Sequence, residues 1–132
     1  MSMAKLEFKM DAGWERAMLK LGTLYDDTAE DMLKAGAAVL AARLKSAGAE
    51  FAKYIKIKKP KKNKYGWFAQ IHFSGKTSSG APAALAANVY EYGRGGKNPQ
   101  QARPFVRPTI ESSEKEVVGA MQTVLEGALK KL

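Results

Sequence analysis

The stretch Trp67-Phe68-Ala69-Gln70-Ile71-His72-Phe73 decides the fold class. Trp67, Ala69, Ile71 and Phe73 alternate with Phe68, Gln70 and His72, the period-two pattern of a strand that buries one face. Helical patterns stand on both sides of it. The prediction is therefore an α+β fold, a small antiparallel sheet packed by a long alanine-rich helix and an amphipathic C-terminal helix.

Working toward the N-terminus, Lys53, Lys56, Lys58, Lys59, Lys61, Lys62 and Lys64 lie within twelve residues that contain no acid. These seven account for all but two of the formal charge of +9. Pro60 is expected to break regular structure here, which makes the segment a surface loop. Its charge suits a polyanion or an acidic partner surface, although a solvated loop needs no partner. Before it, Thr23-Leu24-Tyr25-Asp26 reads as a capping box for a long helix reaching about Phe51. Ala29, Met32, Leu33, Ala37, Leu40 and Leu44 form its buried stripe, and Gly36 costs it about 1 kcal/mol relative to alanine. Earlier still, Asp11 caps a short helix through about Leu21, with Trp14, Met18 and Leu21 on one face and Gly22 as its stop. Leu6, Phe8 and Met10 alternate with Lys5, Glu7 and Lys9 as a first strand.

Toward the C-terminus, Lys76-Thr77-Ser78-Ser79-Gly80 is composed as a surface loop, and Pro82 suits the first turn of a helix that carries Leu85, Val89 and Tyr92. Gly93 is placed to stop that helix at positive φ. Arg94-Gly95-Gly96-Lys97-Asn98-Pro99 follows as a flexible turn. The last helix is expected to start near Pro108, or at a second capping box, Ser113-Glu114-Lys115-Glu116. Val117, Met121, Val124, Leu125, Ala128 and Leu132 form its apolar face.

The chain of 132 residues fits one domain, residues 1–132, with a single core. Hydrophobic residues at 45% and charged residues at 27% argue against wholesale disorder. No apolar run approaches the roughly 20 residues needed to cross a bilayer, so no membrane partner is expected. Met1-Ser2-Met3-Ala4-Lys5 lacks the apolar stretch of a secretion signal, and the protein is expected to be made and used without export. The absence of cysteine excludes disulfides, thiolate metal sites and cysteine nucleophiles.

No catalytic constellation emerges, and the sequence predicts neither an enzyme nor a cofactor or metal site. His72 is the only histidine and has no nucleophile or acid beside it in the pattern, so a structural or surface role fits it better. Asp26, Asp27, Glu30 and Asp31 crowd one turn, but acids at a helix start are accounted for by the helix dipole without an ion. Glu30 also precedes Lys34 by four residues, as an exposed ion pair does. Gly93 to Asn98 has only the outline of a phosphate-binding loop. Glu91 stands where the first glycine belongs, and no Ser or Thr follows the lysine.

The most informative segment is Glu91-Tyr92-Gly93 followed, after the polar turn, by Arg103-Pro104-Phe105-Val106-Arg107-Pro108. Pro104 is expected to hold Arg103 extended, and Pro108 to do the same for Arg107 while opening the last helix. Phe105 anchors the crossing in the core. Glu91 is the nearest acid to pair with either arginine. In this order and spacing, over Gln70 to about Met121, the residues resemble the small head-tail connector or tail-component proteins of long-tailed phages and prophages. Members share an aromatic strand, a helix ending in Glu-aromatic-Gly or Glu-x-Gly, a polar turn, the Arg-Pro-Phe-aliphatic-Arg-Pro run and an amphipathic C-terminal helix. The chain departs from that pattern at Arg94, where the family often has Thr or Ser, and in a longer, glycine-rich turn.

The resemblance implies a structural virion protein of the phage neck, assembled in the host cytoplasm. It implies a homo-oligomeric ring, hexameric, that joins the DNA-filled head to the tail. Its partners would be further copies of itself, the portal-bound adaptor, and tail-tube or tail-terminator proteins, with non-specific contact to DNA in the lumen. Lys56, Lys58, Lys59, Lys61, Lys62 and Lys64, with Arg94 and Lys97, are the candidate docking or DNA-facing loop residues. The alternative is a basic nucleic-acid-binding module that uses the 53–64 lysine cluster with Tyr54, Tyr65, Trp67 and Phe68 as stacking groups.

Overall fold

A computed structural model describes residues 5–9, 12–97 and 99–132. The alternating stretch that decides the fold class is β3 (Gly66–Phe73), and it is the central strand of three. β1 (Lys5–Lys9) and β2 (Ile55–Asn63) flank it, both antiparallel, in the order β1-β3-β2. Ala69, Ile71 and Phe73 are buried on one face, while Phe68, Gln70 and His72 keep partial exposure on the other, as the period predicts.

The lysine segment is the main correction. It is no loop: Ile55–Asn63 pairs with β3, and only Lys64 and Tyr65 make the turn of the hairpin. Between Lys58, opposite Gln70, and Lys61, opposite Phe68, the register shifts, so that Lys59 and Pro60 share the span facing Ala69. A proline, with no amide hydrogen to give to a ladder, is tolerated at a bulge on an edge strand. Pro60 is buried there and bends the strand without ending it.

α1 (Ala12–Met18) runs into a 3-10 segment, Leu19–Leu24, in which Gly22 breaks the helical path at φ 57°. Met10, expected in the first strand, and Asp11, the expected cap of the first helix, lie outside the described residues. α2 (Tyr25–Ala47) is the alanine-rich helix, unbroken through a buried Gly36. The Thr23 capping box does not form. The 3-10 segment leads straight into α2, Leu24 takes the N-cap position without a side-chain bond, and no extended residue is left to present a capping oxygen. A second 3-10 segment, Ala49–Tyr54, carries the chain from α2 into β2.

α3 (Ala83–Tyr92) follows Pro82, and α4 (Val106–Lys130) closes the chain. α4 starts two residues before Pro108, so Arg107 is helical and not extended, and Ser113 is a buried residue of the second turn with no capping role. α2 packs on β2 and β3 and also along α4. One core cluster joins Leu40, Leu44, Ile71 and Val106 to the aromatic rings of Phe51, Phe73 and Phe105. The other gathers Met18, Leu21, Met32, Leu33, Met121 and Leu125, and Val117 touches both.

α3 reverses what its apolar pattern suggests. Its buried residues are Ala83, Ala87 and Glu91, one stripe at intervals of four. Leu85 and Tyr92 are 55% and 53% exposed, and Val89 between them is only half-buried.

Candidate functional site

The motif residues meet where α3 hands the chain to α4. The first N–H groups of a helix have no partner within it. Phe105, the N-cap of α4, carries no side-chain acceptor, so those donors must be satisfied from elsewhere. Glu91 does this from the end of α3. One carboxylate oxygen accepts the N–H of Phe105 at 2.6 Å and of Val106 at 2.9 Å, and the other accepts that of Arg107 at 3.1 Å. Pro108 has no N–H to satisfy, and the Thr109 N–H reaches the Phe105 carbonyl at 3.2 Å to begin the helical ladder. Every donor of the first turn is thereby accounted for. A carboxylate at this end also suits the helix dipole.

Glu91 is 3% exposed and is occupied by backbone N–H groups, that of Arg107 among them, so it pairs with neither the Arg103 nor the Arg107 guanidinium. Arg107 instead lies 3.9 Å from Glu111, one turn on, and the Arg103 guanidinium sits over the Tyr90 ring at 5.8 Å. Both arginines, with Pro104 and Pro108, are at the surface. The arrangement is a clamp between two helices.

Gly93 makes the clamp possible. It has φ 75°, and a Cβ there would come within 2.7 Å of the Gln100 carbonyl oxygen and 2.8 Å of the Ala102 nitrogen. Glycine is needed both for the backbone conformation and for the close return of the chain. Arg94 and Gln100 then exchange two backbone hydrogen bonds of 2.9 Å, and the Arg103 N–H donates to the Tyr90 carbonyl at 2.7 Å. The glycine-rich turn with Lys97 is therefore tied at its base, and its exposed residues project beyond that tie. Beside it, an open groove of about 410 Å³ is lined by Leu85, Val89, Arg94 and Gln100.

Phe105 fills the gap that the clamp closes over. It is 5% exposed and stacks on Phe51 with centroids 5.7 Å apart and planes 5° from parallel, while Phe73 and Tyr90 meet it edge-on. Gly48 lies against the same ring, where a Cβ would collide with it.

The lysines divide into two sets. Lys59 reaches Glu30 at 3.7 Å and Lys62 reaches Asp26 at 3.5 Å, while the Trp67 indole N–H donates to Asp26 at 3.0 Å. Acids of the first two turns of α2 thus dock the hairpin, and Glu30 also meets Lys34 at 3.4 Å. Lys56, Lys58 and Lys61 are exposed on the other side of the strand, opposite His72, Gln70 and Phe68. Lys64 lies over the Tyr65 ring at the turn.

His72 is pulled below its usual value of 6.5, first by burial and then by the charge of Lys58, against a backbone hydrogen bond at Lys56 that acts the other way. Its Nδ1 is buried without a hydrogen-bond partner. The neutral ring is thus the form favoured by folding. Below pH 6.5 the unfolded chain takes up this proton before the folded one, so the stability His72 contributes is complete above 6.5 and is lost as pH falls to the folded value. An NMR titration of the single imidazole is expected to give a midpoint under 6.5, and a midpoint at or above it would contradict this account.

The role of Glu91 is what the sequence reading missed. Two signals point to it: α4 begins without Ser, Thr, Asp or Asn at its cap, and Glu91 extends the Ala83, Ala87 spacing into the buried stripe. Among the described residues, no group of three or more His, Asp or Glu is placed to hold a metal ion. Among them too, no helix is long and apolar enough to cross a membrane. No family model, curated protein or solved structure matches the chain.

Proposed function

We propose that this chain is a structural subunit of a phage head-tail joint, working by self-assembly into a ring that joins the DNA-filled head to the tail. The observation that carries the reading is the outward apolar stripe of α3. Leu85, Val89 and Tyr92 recur at helical spacing yet face away from the core, beside the groove and the tethered 94–100 loop. An exposed apolar stripe rimmed by polar residues suits a protein contact. The clamp supports the same reading in a different way, because it fixes the orientation of α3 and so presents the stripe rigidly. In a ring the contact is head-to-tail, so the stripe would meet a different face of the next copy.

In a phage that carries this protein, removing it is expected to leave filled heads and separate tails. Supplying the Leu85→Asp, Tyr92→Asp variant is expected to give the same defect, although both positions are exposed and the isolated variant should keep its unfolding midpoint. Normal numbers of infectious particles from that variant would overturn the role of the stripe. Normal particles without the protein would overturn the proposal itself.

A further inference from the structure

The outer face of the sheet is separate from the apolar α3 stripe on which the joining role is argued. Cross-strand partners share a face. The register therefore sets Lys56 beside His72, Lys58 beside Gln70 and Lys61 beside Phe68. On the other edge, Lys5, Glu7 and Lys9 occupy the register positions opposite His72, Gln70 and Phe68. The bulge at Lys59 and Pro60 matters here, because strict alternation from Lys58 would send Lys61 inward; the extra residue returns Lys61 to the outer face. Lys56, Lys58 and Lys61 meet no carboxylate among the residues whose side chains are described, whereas Lys59 and Lys62 are engaged by α2.

We propose that this outer face, with Lys56, Lys58 and Lys61 along β2 beside Phe68, Gln70 and His72, binds the phosphate backbone of duplex DNA without reading sequence. Charge complementarity selects the occupant: a row of extended lysines on a rigid strand is a surface for a regular polyanion. Phe68 is the only Phe, Tyr or Trp of the central row, so the face lacks the succession of large stacking platforms that single-stranded binding uses. Gln70 can hydrogen-bond to phosphate or sugar oxygens. The proposal does not depend on the ring, since a single copy carries the whole face.

The test compares the intact chain with two variants by anisotropy of a short, labelled, mixed-sequence duplex between about 50 and about 200 mM salt. Removing the outward set, Lys56→Gln, Lys58→Gln and Lys61→Gln, is expected to weaken binding at least tenfold at the lower salt. It should also reduce the slope of log affinity against log salt by about 2 to 3. Lys59→Gln with Lys62→Gln removes charge from the same strand but from its inner side, and binding is expected to stay within about threefold once folding is verified by circular dichroism. Equal losses in the two variants, or none in the first, would overturn the proposal. So would competition by polyglutamate as effective as by unlabelled duplex, which would mark the face as a site for an acidic protein. Failure here leaves the joining role standing, because that role is read from particle assembly with the α3 stripe.

Discussion

Replacing Glu91 with alanine is expected to lower the unfolding free energy by about 3 to 5 kcal/mol, one of the largest losses any single side chain of this fold can cause. The carboxylate accepts three backbone donors, two of which belong to the buried residues Phe105 and Val106. Hydrogen bonds to a charged acceptor are worth more than neutral ones, and alanine leaves the donors both unpaired and partly shut off from water. Glu91→Gln separates charge from geometry. Its one oxygen can still accept from Phe105 and Val106, but its amide nitrogen then faces the Arg107 N–H, donor against donor. A smaller loss, about 1 to 3 kcal/mol, is expected for it. Urea unfolding of the three proteins gives the comparison. If alanine and glutamine cost the same, the charge and the third hydrogen bond carry the whole effect and the bonds to Phe105 and Val106 add nothing; if alanine costs under about 1 kcal/mol, the clamp is not what holds α4 in place.

How far the sequence discloses this structure depends on the range of the signal. Period-two alternation made β3 readable, and the spacing of Met32, Leu33, Ala37, Leu40 and Leu44 made α2 readable, because each pattern reports one buried face of one element. Phe105 was readable as a core anchor because prolines on both sides limit where its backbone can go. The errors share another cause. Ile55–Asn63 alternates only through Ile55-Lys56-Ile57-Lys58, a pattern cut short by Pro60 and the lysines around it, and the rest of its strand character comes from pairing with β3 and from the acids of α2 that receive Lys59 and Lys62. The stripe Leu85, Val89 and Tyr92 points outward because the position of α3 is set by Glu91, Ala83 and Ala87, a contest between faces that periodicity alone does not decide. Likewise the start of α4 is fixed from another helix, fourteen residues before the Phe105 N–H that it caps, and local capping rules look only at adjacent residues. Local patterns were legible, and features made by two distant segments were not.

Phe105→Ala is expected to cost about 3 to 5 kcal/mol, for a reason distinct from that of Glu91. The backbone N–H that Glu91 caps survives the substitution, so the hydrogen bonds of the clamp can persist while the ring is lost. What goes is the stacked contact with Phe51, the edge contacts with Phe73 and Tyr90, and the packing against Gly48. The rings around it come from three segments, Ala49–Tyr54, β3 and α3, so no one element can relax to fill the void. Phe105→Leu keeps most of the volume and is expected to lose about 1 to 2 kcal/mol. If clamp and plug act as one unit, the mild pair Glu91→Gln and Phe105→Leu should not be additive: the double variant is expected to fall short of the summed losses by about 0.5 to 1.5 kcal/mol, since the first change already loosens the crossing that the second would disturb. A double-mutant cycle by urea unfolding measures that coupling. A coupling near zero would mean that the carboxylate holds only the end of α4 and the ring holds only the core, two independent fastenings that happen to adjoin in the chain.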